Sequence, residues 1–83
     1  MPELSRFYGM VIAMFFDDEE HAPPHVHVRY GKDEASINIK DFKIVGKLPP
    51  RARKLATEWI KQNQKDLLEV WNTQKFKKIE PLK

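Results

Sequence analysis

The residues best suited to chemistry lie in one short segment of this chain, residues 21–30, which contains all three histidines. Histidine changes its charge near neutral pH and is the commonest metal ligand in proteins. In the second part of the segment, polar and apolar residues alternate as in a half-buried β-strand, so that His25, His27 and Arg29 share one side. We assign His21 to the acidic loop that precedes this strand. The sequence therefore predicts His25, His27 and Arg29 as the candidate catalytic residues.

Three functional interpretations of the histidine pair remain open on the residues alone, beside a structural one. Two imidazoles could bind a transition-metal ion together with His21 or a carboxylate of residues 17–20. They could exchange protons with a phosphodiester while Arg29 stabilises the charged transition state. The same side chains could bind RNA, DNA or a protein without catalysis. In the structural interpretation, His25 hydrogen-bonds to the loop and His27 fills a half-buried strand position.

The next strand extends the predicted polar surface. Residues 34–40 alternate again, with Ser36, Asn38 and Lys40 on the polar side. Cross-strand neighbours on one face have Cβ atoms ~4.5–5.5 Å apart, so we expect these side chains beside the histidines. We predict these three residues, together with Tyr30, as binding residues. Because no second cluster of histidine or cysteine supports a metal site, we predict neither a metal nor a cofactor.

Length and composition restrict the class of protein. A chain of 83 residues predicts a single domain, residues 1–83, and the lack of cysteine excludes disulfides and thiolate metal sites. No apolar run approaches the ~20 residues of a membrane span, and the first residues do not resemble a signal peptide. We therefore expect a cytoplasmic protein without a membrane partner. The net charge of +3 is compatible with RNA or an acidic protein as partner, and is also ordinary for a domain surface.

Strand signals fill the first part of the chain, and helix signals fill the second. We predict a strand-rich part (1–47), a helical part (49–75) and an irregular tail (76–83). Within the first part, residues 8–16 are apolar on both alternating faces, as in a central strand. Three further strands are predicted at 25–30, 34–40 and 42–46, and the turn at 31–33 joins the first two of these as a hairpin.

The helical part begins after two consecutive prolines, which are tolerated in a first helical turn. Weak helix formers at 62–64 predict a kink or a break, with Asn63 as the cap of a second helix. Apolar residues at spacings of three and four predict one buried stripe, comprising Ala52, Leu55, Ala56, Trp59, Ile60, Leu67, Val70 and Trp71. The expected fold is α+β: an antiparallel meander of about four strands, packed on one face by a long or broken C-terminal helix. That helix should cover the strand face carrying Val26, Val28, Ile37 and Ile39.

Several motifs occur together along the whole chain: MPELSRFYGMVI at 1–12, PPHVHVRYG at 23–31, LPPRA at 48–52, Trp59, Trp71 and IEPL at 79–82. In this combination the chain resembles a family of small bacterial proteins that is catalogued as a domain of unknown function. Members are often encoded beside a second small protein, and the pair is interpreted as a toxin–antitoxin module with this family as the toxin-like half.

The resemblance implies a toxin-like component whose partner is a small cognate antitoxin-like protein. By analogy with other small basic toxins, we expect RNA or translation to be its target. The resemblance identifies no catalytic residues. The alternative is a non-enzymatic regulatory module that binds a protein or a nucleic acid through the same surface.

Overall fold

Five β-strands follow one another in chain order and form a single sheet in the computed structural model, which describes residues 3–15 and 23–82. The order in the sheet is β1-β2-β3-β4-β5, and every neighbouring pair is antiparallel. This architecture confirms the predicted antiparallel meander. The strands are β1 (Glu3–Phe7), β2 (Met10–Ala13), β3 (His25–Tyr30), β4 (Asp33–Asn38) and β5 (Ile44–Gly46).

The first part of the sheet differs from the single strand predicted at residues 8–16. A tight turn at Tyr8 and Gly9 separates β1 from β2, and both residues have positive φ angles of 49° and 80°. Two positive φ angles in a two-residue loop are the pattern of a type I′ hairpin. Glycine adopts this conformation readily, so Gly9 permits the reversal that the apolar pattern alone did not indicate. The additional strand β1 therefore forms the edge of the sheet, and β2 lies beside it.

The β3–β4 hairpin follows the prediction closely. Its two-residue loop places Gly31 at φ 60°, and Tyr30 pairs with Asp33 on the two sides of the loop. The register then sets His27 opposite Ser36. The hairpin thus brings the polar sides of both strands onto one face of the sheet, which we call the open face.

Two helices follow the sheet, α1 (Pro50–Gln62) and α2 (Gln64–Thr73). The predicted break therefore occurs at Asn63, but this residue does not cap α2 through its side chain. Its amide Nδ2 instead donates to the Trp59 carbonyl at 2.9 Å, one turn back in α1. The predicted side-chain cap is wrong: Asn63 precedes α2, but its side chain turns back to Trp59 of α1 and makes no capping hydrogen bond to α2. Within the described ranges, neither helix has the length and apolar character needed to span a membrane.

The helices cover the face of the sheet opposite to the open face. The predicted strand residues are fully buried there, and Trp59 of α1 packs on Phe7 of β1 with ring centroids 5.7 Å apart. Most of the predicted helical stripe is buried as well, whereas Leu55 and Trp71 are half-buried. One hydrophobic core therefore joins both layers. Its central members are Val26, Val28, Ile37, Ile39, Ala52, Ala56, Trp59, Ile60, Leu67 and Val70.

The described part of the C-terminal tail contains no helix or strand and lies against β1. The Ile79 backbone N–H donates to the Leu4 carbonyl at 2.8 Å, and the Ile79 side chain is buried. The indole Nε1 of Trp59 donates to the Glu80 carbonyl at 2.8 Å. These two hydrogen bonds connect the tail to the outer strand and to α1.

Candidate active site on the open face

His25 and His27 lie side by side on the open face. They occupy alternate positions of β3, and Val26 between them is fully buried on the other face. The two imidazole rings are in edge contact, with centroids 5.1 Å apart. Both side chains are half-buried. The strand thus produces a close pair of ionisable rings that solvent can still reach.

A local hydrogen bond orients His25. Its Nδ1 atom lies 2.8 Å from the carbonyl oxygen of Pro23. A carbonyl only accepts, so Nδ1 must carry the proton and donate it. In the neutral ring, Nε2 is then the unprotonated nitrogen and can accept a proton. The proline lead-in therefore determines which nitrogen of His25 is available for chemistry.

Two further aromatic side chains extend the histidine pair into a row. Phe15, just after β2, meets His27 at a centroid distance of 4.6 Å, and Trp71 of α2 meets His25 at 5.2 Å. We call Phe15, His27, His25 and Trp71 the aromatic row. The sequence pattern assigned Trp71 to the core and left open whether Phe15 joins the polar face or the core. The signal for Phe15 was its position two residues after Ala13. By strand alternation it lies on the same side as Ala13, which pairs with His27 in the sheet register.

Charged side chains lie on the β4 side of the row. The Glu34 carboxylate Oε1 is 3.8 Å from His27 Nδ1, close enough for an ion pair when the imidazole is protonated. Arg29 is exposed on the same face and is paired with Glu34 in the strand register. The open face therefore offers two imidazoles, a guanidinium and a carboxylate within one hairpin.

At the β1 edge of the sheet, a second charged pair forms away from the histidines. The Arg6 guanidinium donates a hydrogen bond to the Glu3 carboxylate at 2.8 Å. This bond lowers the pKa of Glu3 and raises the pKa of Arg6. Both side chains face solvent, so the pair contributes little to stability.

The predicted binding residues of β4 have different surroundings. Ser36 lies opposite His27 and Asn38 opposite His25, so both are on the open face. The Asn38 Oδ1 atom accepts the backbone N–H groups of Lys40 at 2.7 Å and Asp41 at 3.2 Å. This amide oxygen is thus engaged in the turn after β4. Lys40 lies in that exposed turn and not, as predicted, on the polar side of a strand at 34–40, because β4 ends at Asn38, whose side chain bonds to the turn.

Tyr30 lies away from the other candidates. It follows Val28 on the helix side of β3. As the last residue of this strand it is 39% exposed. There it lines a small pocket with Tyr8 and with Arg51 of the first turn of α1. Tyr30 is therefore not part of the surface that carries the histidine pair.

The metal interpretation required ligands beyond the histidine pair. In residues 3–15 and 23–82, no three histidine, aspartate, glutamate or cysteine residues come together as a metal ion would require. His21 and the acidic residues 17–20 lie outside the described residues. His25 and His27 are the only imidazoles that the described ranges contain.

Residues 9–72 match a family model described as "Domain of unknown function (DUF4160)". The chain belongs to this family. The matched range runs from the β1–β2 turn to the penultimate residue of α2 and contains the whole aromatic row. We found no match among curated proteins and none among solved structures. The family match confirms the resemblance to a domain of unknown function that the sequence motifs indicated.

Proposed function

We propose that this chain is the toxin-like half of a two-protein toxin–antitoxin module and that its open face cleaves RNA without a metal ion. One observation carries the catalytic part. His25 and His27 contact each other at a solvent-accessible face, and the bond to Pro23 leaves His25 Nε2 as a proton acceptor. Metal-free cleavage of RNA needs one group to accept a proton and another to donate one. Two adjacent imidazoles can supply both.

The proposed step balances as an internal transfer of the phosphoryl group. His25 Nε2 takes the proton of a ribose 2′-hydroxyl, and the 2′-oxygen forms a bond to phosphorus. The bond from phosphorus to the 5′-oxygen breaks, and protonated His27 supplies a proton to that leaving oxygen. The products are a 2′,3′-cyclic phosphate and a 5′-hydroxyl. Proton exchange with water returns both histidines to their starting states.

The charged neighbours fit these roles. The Glu34 carboxylate, 3.8 Å from His27 Nδ1, can pair with the imidazolium that the proposed acid requires. Arg29 lies two residues further along the same strand face, where its guanidinium can approach the phosphoryl oxygens. A guanidinium suits this task because its fixed fork of donors matches phosphate geometry.

The aromatic row supports RNA as the substrate class. Proteins recognise unpaired bases largely by stacking them on aromatic side chains. Phe15 and Trp71 flank the histidine pair at centroid distances of 4.6 and 5.2 Å. A single strand that crosses the open face can therefore place bases on these rings and a phosphate near the imidazoles.

The second candidate function is binding without cleavage. The packing of both imidazoles between aromatic neighbours favours it, because rings held on both sides form a rigid stacking surface. In that case the row binds RNA or a regulatory partner, and no proton transfer takes place.

Cleavage of a fluorescent single-stranded RNA in excess EDTA separates the two candidates. We expect the wild-type chain to release a 2′,3′-cyclic phosphate end. In His25→Asn the amide nitrogen can still donate near the Nδ1 position, but the proton acceptor at Nε2 is lost, so the rate should fall by about 10²–10⁴-fold. Lys65→Ala, on the exposed side of α2, is the matched control and should cleave like the wild type. RNA binding without cleavage by the wild type would overturn catalysis in favour of the second candidate.

Expression in a bacterial host tests the toxin assignment. Expression of the chain alone should arrest growth, and the His25→Asn/His27→Asn double variant should not. Equal soluble amounts of both proteins, compared by immunoblot, control for folding. Arrest that persists in the double variant contradicts a catalytic role for the histidines, and unhindered growth with the wild type contradicts toxicity.

A further inference from the structure

The outer side of β5 leaves backbone groups available for pairing. Towards β4, the Lys43 carbonyl accepts a hydrogen bond at 2.9 Å and the Lys47 N–H donates one at 3.2 Å. Val45 lies between these two residues, and its backbone N–H and C=O groups also point towards β4. Since inward and outward residues alternate in an antiparallel ladder, the N–H and C=O groups of Ile44 and Gly46 point away from the sheet. No hydrogen bond from the described residues reaches them from that side.

The two edges of the sheet differ in this respect. At the β1 edge, the Ile79 N–H of the tail bonds to the Leu4 carbonyl. At the β5 edge, Val45 presents its side chain to solvent on the open face, where it is 64% exposed. An exposed edge strand with an apolar side chain is a template for another strand.

The surroundings of β5 are cationic. Lys43 and Lys47 flank the strand in sequence, and both are exposed. On the helix side, a groove of about 640 Å³ separates β5 from α1, which is within the ~300–1,000 Å³ range of ligand sites. Ile44 lines this groove together with three cations and one carboxylate, which are Arg53, Lys54, Lys61 and Glu58.

We propose that β5 is the docking strand for an acidic, extended segment of a partner protein, which joins the sheet as a sixth strand. Its backbone bonds to the outward groups of Ile44 and Gly46, as in other complexes formed by strand addition. Its side chains alternate, so acidic ones on the groove side meet the cations of α1, while apolar ones on the open face meet Val45.

Charge also argues against a second copy of this chain as the occupant. Antiparallel pairing of two β5 strands would bring the lysines at positions 43 and 47 of both copies together, and like charges on neighbouring strands destabilise a sheet. A partner strand that carries no lysine does not meet this barrier, and its acidic groove-side residues are attracted to the cations of α1. β4 separates β5 from the strand of the histidine pair, and pairing at the outer edge of β5 does not depend on RNA cleavage.

The direct test uses a short synthetic peptide of alternating glutamate and valine, added to the isotope-labelled full chain. We expect saturable amide shifts in NMR spectra at residues 43–47 and slower hydrogen exchange at Ile44 and Gly46. The same peptide with lysine in place of glutamate should produce no saturable shifts. Equal binding of both peptides, or shifts at other surfaces only, would overturn the proposal.

A backbone variant then separates strand addition from simple charge attraction. Ile44→Pro removes an outward N–H without removing a bond to β4, and proline is tolerated on edge strands. It should weaken peptide binding by at least about tenfold relative to Ile44→Ala, which loses the same side chain but keeps the N–H. Comparable affinities of the two variants, with folding checked by circular dichroism, would contradict strand addition.

Charge variants complete the test. Lys54→Glu, in the groove, should weaken binding of the acidic peptide by about tenfold, whereas Lys65→Glu on α2 should not. His25→Asn should bind the peptide like the wild type, so failure of the RNA proposal would leave this one intact. Self-association of the unliganded chain that Ile44→Pro abolishes would show that a second copy occupies β5, and would overturn the proposed partner.

Discussion

At the scale of single residues, the local backbone controls what the histidine pair can do. The Pro23 carbonyl engages Nδ1 of His25, and the edge contact with His27 restricts the rotation of both rings. Rings that are already oriented lose little entropy when a substrate binds. Asn38 shows a similar local effect. Its side-chain oxygen accepts the backbone N–H of Lys40 and so stabilises the turn that follows β4.

Gly46, the last residue of β5, allows a direct prediction. Gly46 has φ 122°, and a Cβ atom there would lie 2.7 Å from the Ala35 Cα and 2.7 Å from the Glu34 carbonyl oxygen. Gly46→Ala should therefore lower the free energy of unfolding by about 2–4 kcal/mol, measured by urea denaturation. Gly31→Ala is the control, since it shares the positive φ but meets no atom within 4 Å, and should cost about 1 kcal/mol. Equal costs for both variants would contradict the close approach of β4 and β5.

At the scale of elements, the break between the helices has a structural use. Asn63 closes α1, and the next residue, Gln64, donates from Nε2 to the Ile39 carbonyl at 2.9 Å. That contact ties the start of α2 to the turn that follows β4. Gln64, one of the residues that disfavour a continuous helix, therefore connects the helical layer to the sheet.

The end of α2 gives the second prediction. Gln74 terminates this helix in the left-handed conformation, with φ 58° and ψ 20°. Glycine adopts this conformation without the cost that a side chain imposes, so Gln74→Gly should raise the free energy of unfolding by about 0.5–1 kcal/mol. Asn72→Gly, two residues earlier within the helix, should lower it. Thermal unfolding followed by circular dichroism measures both, and destabilisation by Gln74→Gly would refute the assignment of this helix end.

At the scale of the whole molecule, the tail joins the two layers. Trp59 is fully buried between them, and its indole donates to the Glu80 carbonyl. Ile79 buries its side chain in the same core and bonds to β1 through its backbone. In a domain of this size the core is small, so residues that contact both layers contribute a large share of the stability.

This arrangement predicts unequal effects within one short segment. Ile79→Ala should lower the free energy of unfolding by about 2–4 kcal/mol, because it leaves a cavity in the core. Phe76→Ala serves as the control and should have a much smaller effect, since that ring is 37% exposed. Urea denaturation compares the two, and similar losses would show that the tail contributes only general apolar contact.

The local patterns of the chain determined much of the fold. Alternation placed the two histidines and Arg29 on one side of β3, and spacings of three and four identified the buried stripe of the helices. These predictions succeed because a side chain's direction relative to its own element follows from backbone periodicity alone. The extra strand β1 was missed because it precedes the apolar run at 8–16 and three of its five residues are polar, so its sequence carries no clear strand pattern.

The tertiary structure decided which neighbours the histidines have. Phe15 meets them from just after β2 and Trp71 from α2, segments separated from each other by most of the chain. It also placed Tyr30 beside Tyr8 and Arg51 of α1. The sequence by itself determined the histidine pair and the layer beneath it, whereas packing decided what surrounds the pair. Contacts between distant segments depend on how whole faces fit together, and no local repeat in the chain encodes that fit.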